Sequence, residues 1–160
     1  MAADGTPRPI WLCADDYGIS ESVDKAIREL LMNGRINATS VMVAAPAFQA
    51  AEAASLKTLS AGSRRFAIGL HVTLTAPFAP LTAGFRPTRR GSFLPLAEML
   101  VRGTLRLLSR DRLAIEIATQ LKAFVTAFGR APDFVDGHQH AHALPGIRRA
   151  LLDALTARYP

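Results

Sequence analysis

An α/β fold built on parallel strands follows from two features of the sequence. Short apolar runs alternate with segments whose apolar residues keep helical spacing. Asp and His residues gather where several of those runs stop, as functional groups do at the C-terminal ends of parallel strands. With strands separated by helices, both faces of the sheet are expected to be covered.

The elements follow in order. The run Ile10-Trp11-Leu12-Cys13-Ala14 reads as a first buried strand. Ser20 then serves as N-cap of a helix whose apolar positions are Val23, Ile27, Leu30 and Leu31, closed by Asn33-Gly34. Residues 38–43 form a second strand. Pro46 is placed to start a short Ala-rich helix reaching about Lys57. Residues 67–73 make a third strand. The Pro- and Gly-containing stretch 76–95 is longer than an ordinary connection, which makes it a candidate binding loop or a structural cover. Helices are expected over 96–108 and over 112–128, the second capped by Asp111 and closed by Gly129. Residues 134–136 form a short fourth strand, and an amphipathic helix covers 146–159.

Composition limits the function classes. A chain of 160 residues with 49% hydrophobic content can form one ordinary domain, here residues 1–160, with a sizeable core. No apolar stretch is long enough to span a membrane and no signal peptide is evident, so the expected location is cytoplasmic. Cys13 is the single cysteine and its apolar setting predicts a buried, inert thiol. The net charge of +6 comes mainly from 16 arginines scattered over helices and loops. Without a basic stripe interleaved with aromatics, this pattern reads as a solvated surface and not as a nucleic-acid interface.

The chemistry concentrates at three strand ends. "ADDYG" puts Asp15 and Asp16 after the first strand, "IGLHVTLT" puts His71 at the end of the third, and "DGHQHAH" puts Asp136, His138, His140 and His142 at the end of the fourth. All four histidines of the chain lie in the last two motifs. Two imidazoles and one carboxylate form a common ligand set for a catalytic divalent metal with open positions for water and substrate. Of the three clustered histidines, His138 is nearest the strand end and is the expected ligand. His140 and His142 are left for substrate contact, support of the ligands or plain hydrogen bonding. If the segment stays extended, the three share one face. Asp136 can orient an imidazole or simply close a turn.

The acidic pair suggests a division of labour. One carboxylate binds the cation, which offsets the repulsion between the two, and the other acts as general base. Adjacent strand residues point to opposite faces, but Gly18 permits an unusual backbone at the strand end, which lets both face one cavity.

The segments "ADDYGIS", "IGLHVTLT" and "DGHQHAHALPGIR", in that order, closely resemble the three signature segments of the YdjC-like family of carbohydrate deacetylases, which includes a hopanoid-biosynthesis protein. The resemblance covers nearly all of residues 10–158. It implies a deformed (β/α) barrel of the NodB-like deacetylase type and metal-dependent removal of an acetyl group from an N-acetylated sugar. It further implies a divalent ion, Mg²⁺, held by Asp16, His71 and His138, with Asp15 as the base. The ligand chemistry itself suits Zn²⁺ better, since Mg²⁺ prefers oxygen donors. A full barrel takes roughly 250 residues, so the chain is expected to be the N-terminal portion of a longer barrel. Its open sheet edge favours a homodimer or aggregation. Two other readings compete: a non-catalytic metal- or sugar-binding fragment, and a metal-dependent hydrolase of another amide or ester. A phosphate ester is disfavoured by the absence of a Gly-rich phosphate loop.

Overall fold

The computed structural model describes residues 10–62 and 65–159. Its elements are β1 (Cys13–Tyr17), α1 (Glu21–Met32), β2 (Ala38–Val41), α2 (Ala50–Ser60), β3 (Ala67–Val72), α3 (Leu96–Thr104), α4 (Arg110–Phe128), β4 (Val135–Gly137), a 3-10 segment (His138–Ala143) and α5 (Pro145–Arg158). The four strands form one sheet in the order β1-β2-β3-β4, and every neighbouring pair is parallel. The expected α/β class with parallel strands and flanking helices is what the chain adopts.

Sequential order matters for the site. Right-handed crossovers that always step in the same direction place their helices on one face of the sheet. Alternation along β3 shows the division. Ile68, Leu70 and Val72 belong to the buried core, together with Ile117, Leu121 and Phe124 of α4. Gly69 and His71 therefore point to the opposite face. There the ring of Phe134 lies so close that a Cβ on Gly69 would come within 2.5 Å of it.

The face that carries His71 is concave. A flat four-stranded sheet would separate its edge strands by roughly 14 Å, too far for an Asp and a His side chain to meet across it. Yet Asp16 Oδ1 in β1 is 2.8 Å from His138 Nδ1, just beyond β4. Only a curled sheet can join its two edges in this way.

Several boundaries differ from the sequence reading. The first strand starts later, because Ile10, Trp11 and Leu12 are exposed and the Asn37 side chain substitutes for a neighbouring strand: it accepts from Leu12 N at 2.7 Å and donates to Ile10 O at 2.9 Å. Asp15 and Asp16 consequently lie inside β1 and not after it. The second helix begins at Ala50; residues 42–49 are taken up by tight turns, with Ala45 N donating to Met42 O and Phe48 N to Ala45 O. The helix at 96 stops at Thr104, and Arg106 takes a left-handed conformation. Helix α4 is capped by Ser109, whose Oγ accepts from Arg112 N, so Asp111 lies in the first turn and is not the cap. Gly129 ends that helix with φ 73°, as expected.

Candidate functional site

The local geometry of β1 explains how two adjacent carboxylates share one site. Ala14 pairs with Thr39 and Tyr17 with Val41, so Asp15 and Asp16 together oppose Ser40 alone. This is a bulge with one extra residue. Asp16 takes φ 66°, a left-handed conformation that Asp tolerates better than most residues. Gly18 takes φ 101°, as the sequence predicts, and the strand end therefore holds two positive-φ residues, Asp16 and Gly18. Thr39 Oγ1 donates to Ala14 O at 2.7 Å and fastens the strand just before the bulge. Just after it, buried Tyr17 donates its hydroxyl to Glu52 Oε2 at 2.7 Å and accepts from Arg28 Nη1 at 2.7 Å. Burial, reinforced by Glu52, raises the Tyr17 pKa despite Arg28, so the phenol stays protonated.

Asp16 Oδ1 is the meeting point of two imidazoles. His71 Nε2 lies 3.1 Å away and His138 Nδ1 2.8 Å away, with both rings buried. The other nitrogen of His71, Nδ1, is 2.7 Å from Asp136 Oδ1. An ionised carboxylate only accepts, so this Nδ1 carries the hydrogen, and in the neutral ring Nε2 presents a lone pair to Asp16. A lone pair facing a carboxylate oxygen at 3.1 Å requires a proton or a cation between them. Asp16, His71 and His138 each bring one donor atom within 4.8 Å of the others, a group that could hold a metal ion. Donors about 2.0–2.1 Å from a tetrahedral ion stand roughly 3.3 Å apart, so the three fit a divalent ion with small adjustments.

Phe78 packs against His138, the two rings meeting edge to face with centroids 5.5 Å apart. Phe78 belongs to the long stretch 76–95, which is well packed: Phe78, Phe85, Phe93 and Leu94 are buried, and Phe93 N donates to Phe78 O at 2.8 Å. Buried Glu116 of α4 accepts from Leu81 N and Thr82 N at 3.1 and 2.8 Å. Gln120, one turn further on, exchanges two hydrogen bonds with the backbone of Thr73. The stretch is thus at least in part a structural cover that braces the site.

The histidine-rich segment is not extended. Gln139 and His140 have φ 53° and 55°, so the chain coils through a short turn. His138, His140 and His142 therefore do not share a face. His138 is buried against Asp16, whereas His140 is exposed. His142 packs on Gly137, where a Cβ would meet its Nδ1 at 2.8 Å, and that Nδ1 is buried with no partner among the described residues.

Asp15 occupies a neighbouring position and is exposed. Its carboxylate lies with Cys13 and Asp136 in a second group whose donor atoms fall within 4.8 Å. Burial first, then the Asp15 carboxylate and the charge of Asp136, push the Cys13 thiol up to about 12. Cys13 is half-buried and not fully enclosed, and its thiol stays protonated.

Residues 9–160 match the family model described as YdjC-like protein. The chain belongs to the YdjC-like family. This YdjC-like chain is 33% identical over 136 residues to a chitooligosaccharide deacetylase of Enterobacter sp. (strain 638), covering 84% of the chain and 50% of that protein. It is 34% identical over 153 residues to a carbohydrate deacetylase of Mus musculus, covering 90% of the chain and 46% of that protein. A solved structure from Enterococcus faecalis V583, provisionally described as a cellobiose-phosphate cleavage protein, superposes with a TM-score of 0.76 at 22% identity, over 91% of this chain and 54% of that one. That likeness concerns the fold alone. The chain spans about half the length of the curated relatives it matches.

Two residues of the site carry no signal in the sequence. Ser40 is one more hydroxyl inside an apolar run, and Phe78 one more aromatic in a loop. Among the described residues no helix is long and apolar enough to cross a membrane.

Proposed function

We propose that this YdjC-like chain carries a metal-dependent site that removes acetyl groups from N-acetylated carbohydrates. The observation that supports it most is the convergence of His71 and His138 on one oxygen of Asp16. Relatives named as chitooligosaccharide and carbohydrate deacetylases supply the substrate class.

In this reading Asp16, His71 and His138 hold the divalent ion, and two imidazoles with one carboxylate suit Zn²⁺ better than Mg²⁺. When bound, such an ion polarises the acetyl carbonyl and lowers the pKa of water at the site. The chain's own residues do the rest. Asp136 fixes the His71 tautomer through Nδ1, so that Nε2 remains free to ligate. Phe78 keeps His138 turned toward Asp16. Asp15, exposed beside the ligands, takes a proton from water as the new C–O bond forms. When the amide C–N bond breaks, the departing amine needs a proton. Asp15 can return the one it took, or His140 or His142 of the adjoining turn can supply it.

The test is acetate release from N-acetylated chito-oligosaccharides by the Zn²⁺-loaded chain. Turnover that is abolished by a chelator and by His71→Ala is expected. Because the chain spans about half of its curated relatives, a metal- or sugar-binding module is the second reading. Sugar binding without acetate release would select it.

A further inference from the structure

Ser40 is the one residue of β2 opposite the bulge, and it is fully buried. Its Oγ is 3.0 Å from His71 Nδ1 and 3.3 Å from Asp15 Oδ1. The Cys13 sulfur is a further neighbour of the Ser40 hydroxyl but only a weak acceptor, so the oxygen and nitrogen partners decide where the hydrogens go. Because Asp136 Oδ1 accepts from His71 Nδ1, that nitrogen is a donor and cannot accept from Ser40. The Ser40 oxygen can share the same hydrogen as an acceptor. Its own hydrogen is then directed to Asp15 Oδ1. A polar chain with a fixed direction runs from His71 through the Ser40 hydroxyl to Asp15.

We propose that Ser40 is a positioning residue that keeps the two adjacent aspartates in separate roles. Its hydroxyl anchors the Asp15 carboxylate on the Cys13 and Asp136 side of the bulge, away from the position shared by Asp16, His71 and His138. Without that anchor, Asp15 is free to turn toward a cation held by its neighbour, where a carboxylate is a good ligand and no longer a free base. The Cys13 thiol also reaches Asp15 but is a weak donor and does not replace a hydroxyl. The catalytic meaning of this anchor rests on the deacetylase reading; the position of Asp15 does not.

The test compares the wild-type chain with Ser40→Ala and Ser40→Thr, with thermal melts confirming that all three fold. Metal-free crystal structures are expected to show Asp15 in its present position in wild type and Ser40→Thr, and displaced in Ser40→Ala. Zn²⁺ titration calorimetry should find Ser40→Ala binding the ion more tightly. In acetate release, kcat of Ser40→Ala should fall about 10- to 100-fold, the scale of a misplaced reacting group, with KM little changed and Ser40→Thr largely restored. An Asp15 carboxylate that stays in place in Ser40→Ala overturns the proposal. If the wild-type chain releases no acetate, the deacetylase reading fails, and the crystal structures still decide the role of Ser40.

Discussion

Asp16 Oδ1 lies 2.8 Å from His138 Nδ1 although 122 positions separate the two residues in the chain. They come from opposite edges of a four-stranded sheet, so the contact exists only because the sheet curls. His71, from a strand between them, reaches the same oxygen at 3.1 Å. Three elements that share no sequence neighbourhood thereby build one donor set.

Asp136 orients His71 without belonging to that set. Asp136→Asn replaces an acceptor-only group by one that can present either an oxygen or an NH₂ to Nδ1, which loosens control of the tautomer. Zn²⁺ affinity is expected to fall about 10- to 100-fold, the usual cost of losing such a partner. Calorimetric titration of the folded variant measures it, and an unchanged affinity contradicts the role.

Asp15 is assigned a proton and not the ion. Asp15→Asn should therefore reduce acetate release by about 10²- to 10⁴-fold, as loss of a general base does. Zn²⁺ binding should stay close to that of the wild type. Parallel loss of both would make Asp15 a ligand.

Asp24 offers a pH test away from the site. It is buried, with Oδ1 accepting from Gly18 N at 2.6 Å and Oδ2 without a partner among the described residues. Burial raises its pKa above the ordinary carboxylate value. The folded state therefore holds its proton more firmly than the unfolded chain, and stability falls as pH rises from the unfolded value of about 3.9 through the raised one. The deficit persists at neutral pH. Asp24→Asn imitates the protonated acid, so it should be more stable than wild type at pH 7 and lose that advantage below about pH 4. Urea unfolding at both pH values checks this.

Gly69 is required by packing. A Cβ there would lie 2.5 Å from two carbons of the Phe134 ring, which itself meets Trp11 edge to face at 5.2 Å. Gly69→Ala should cost about 1–3 kcal/mol, as overpacking typically does. The double variant Gly69→Ala with Phe134→Leu should recover part of it in denaturant melts.

Much of the site can be read from the sequence, and what cannot has definite physical causes. Asp16, His71 and His138 stand out because His and Asp at the ends of apolar runs are rarely needed for packing. The strand boundary at β1 is harder to read: Ile10, Trp11 and Leu12 are apolar enough to suggest a buried strand, but their exposure reflects a lack of neighbours that composition does not encode. The turn after β4 is hidden for another reason. Two successive left-handed residues, Gln139 and His140, occur with no glycine to announce them. Ser40 escapes notice because its importance comes only from standing opposite a bulge in another strand.

Asp16, His71 and His138 are expected to share one divalent ion, and an anomalous-scattering map of Zn²⁺-soaked crystals tests this most directly. A single peak about 2.0–2.2 Å from Asp16 Oδ1, His71 Nε2 and His138 Nδ1 is the expected result. A map with no peak there, or with its peak between Cys13, Asp15 and Asp136, would contradict the account.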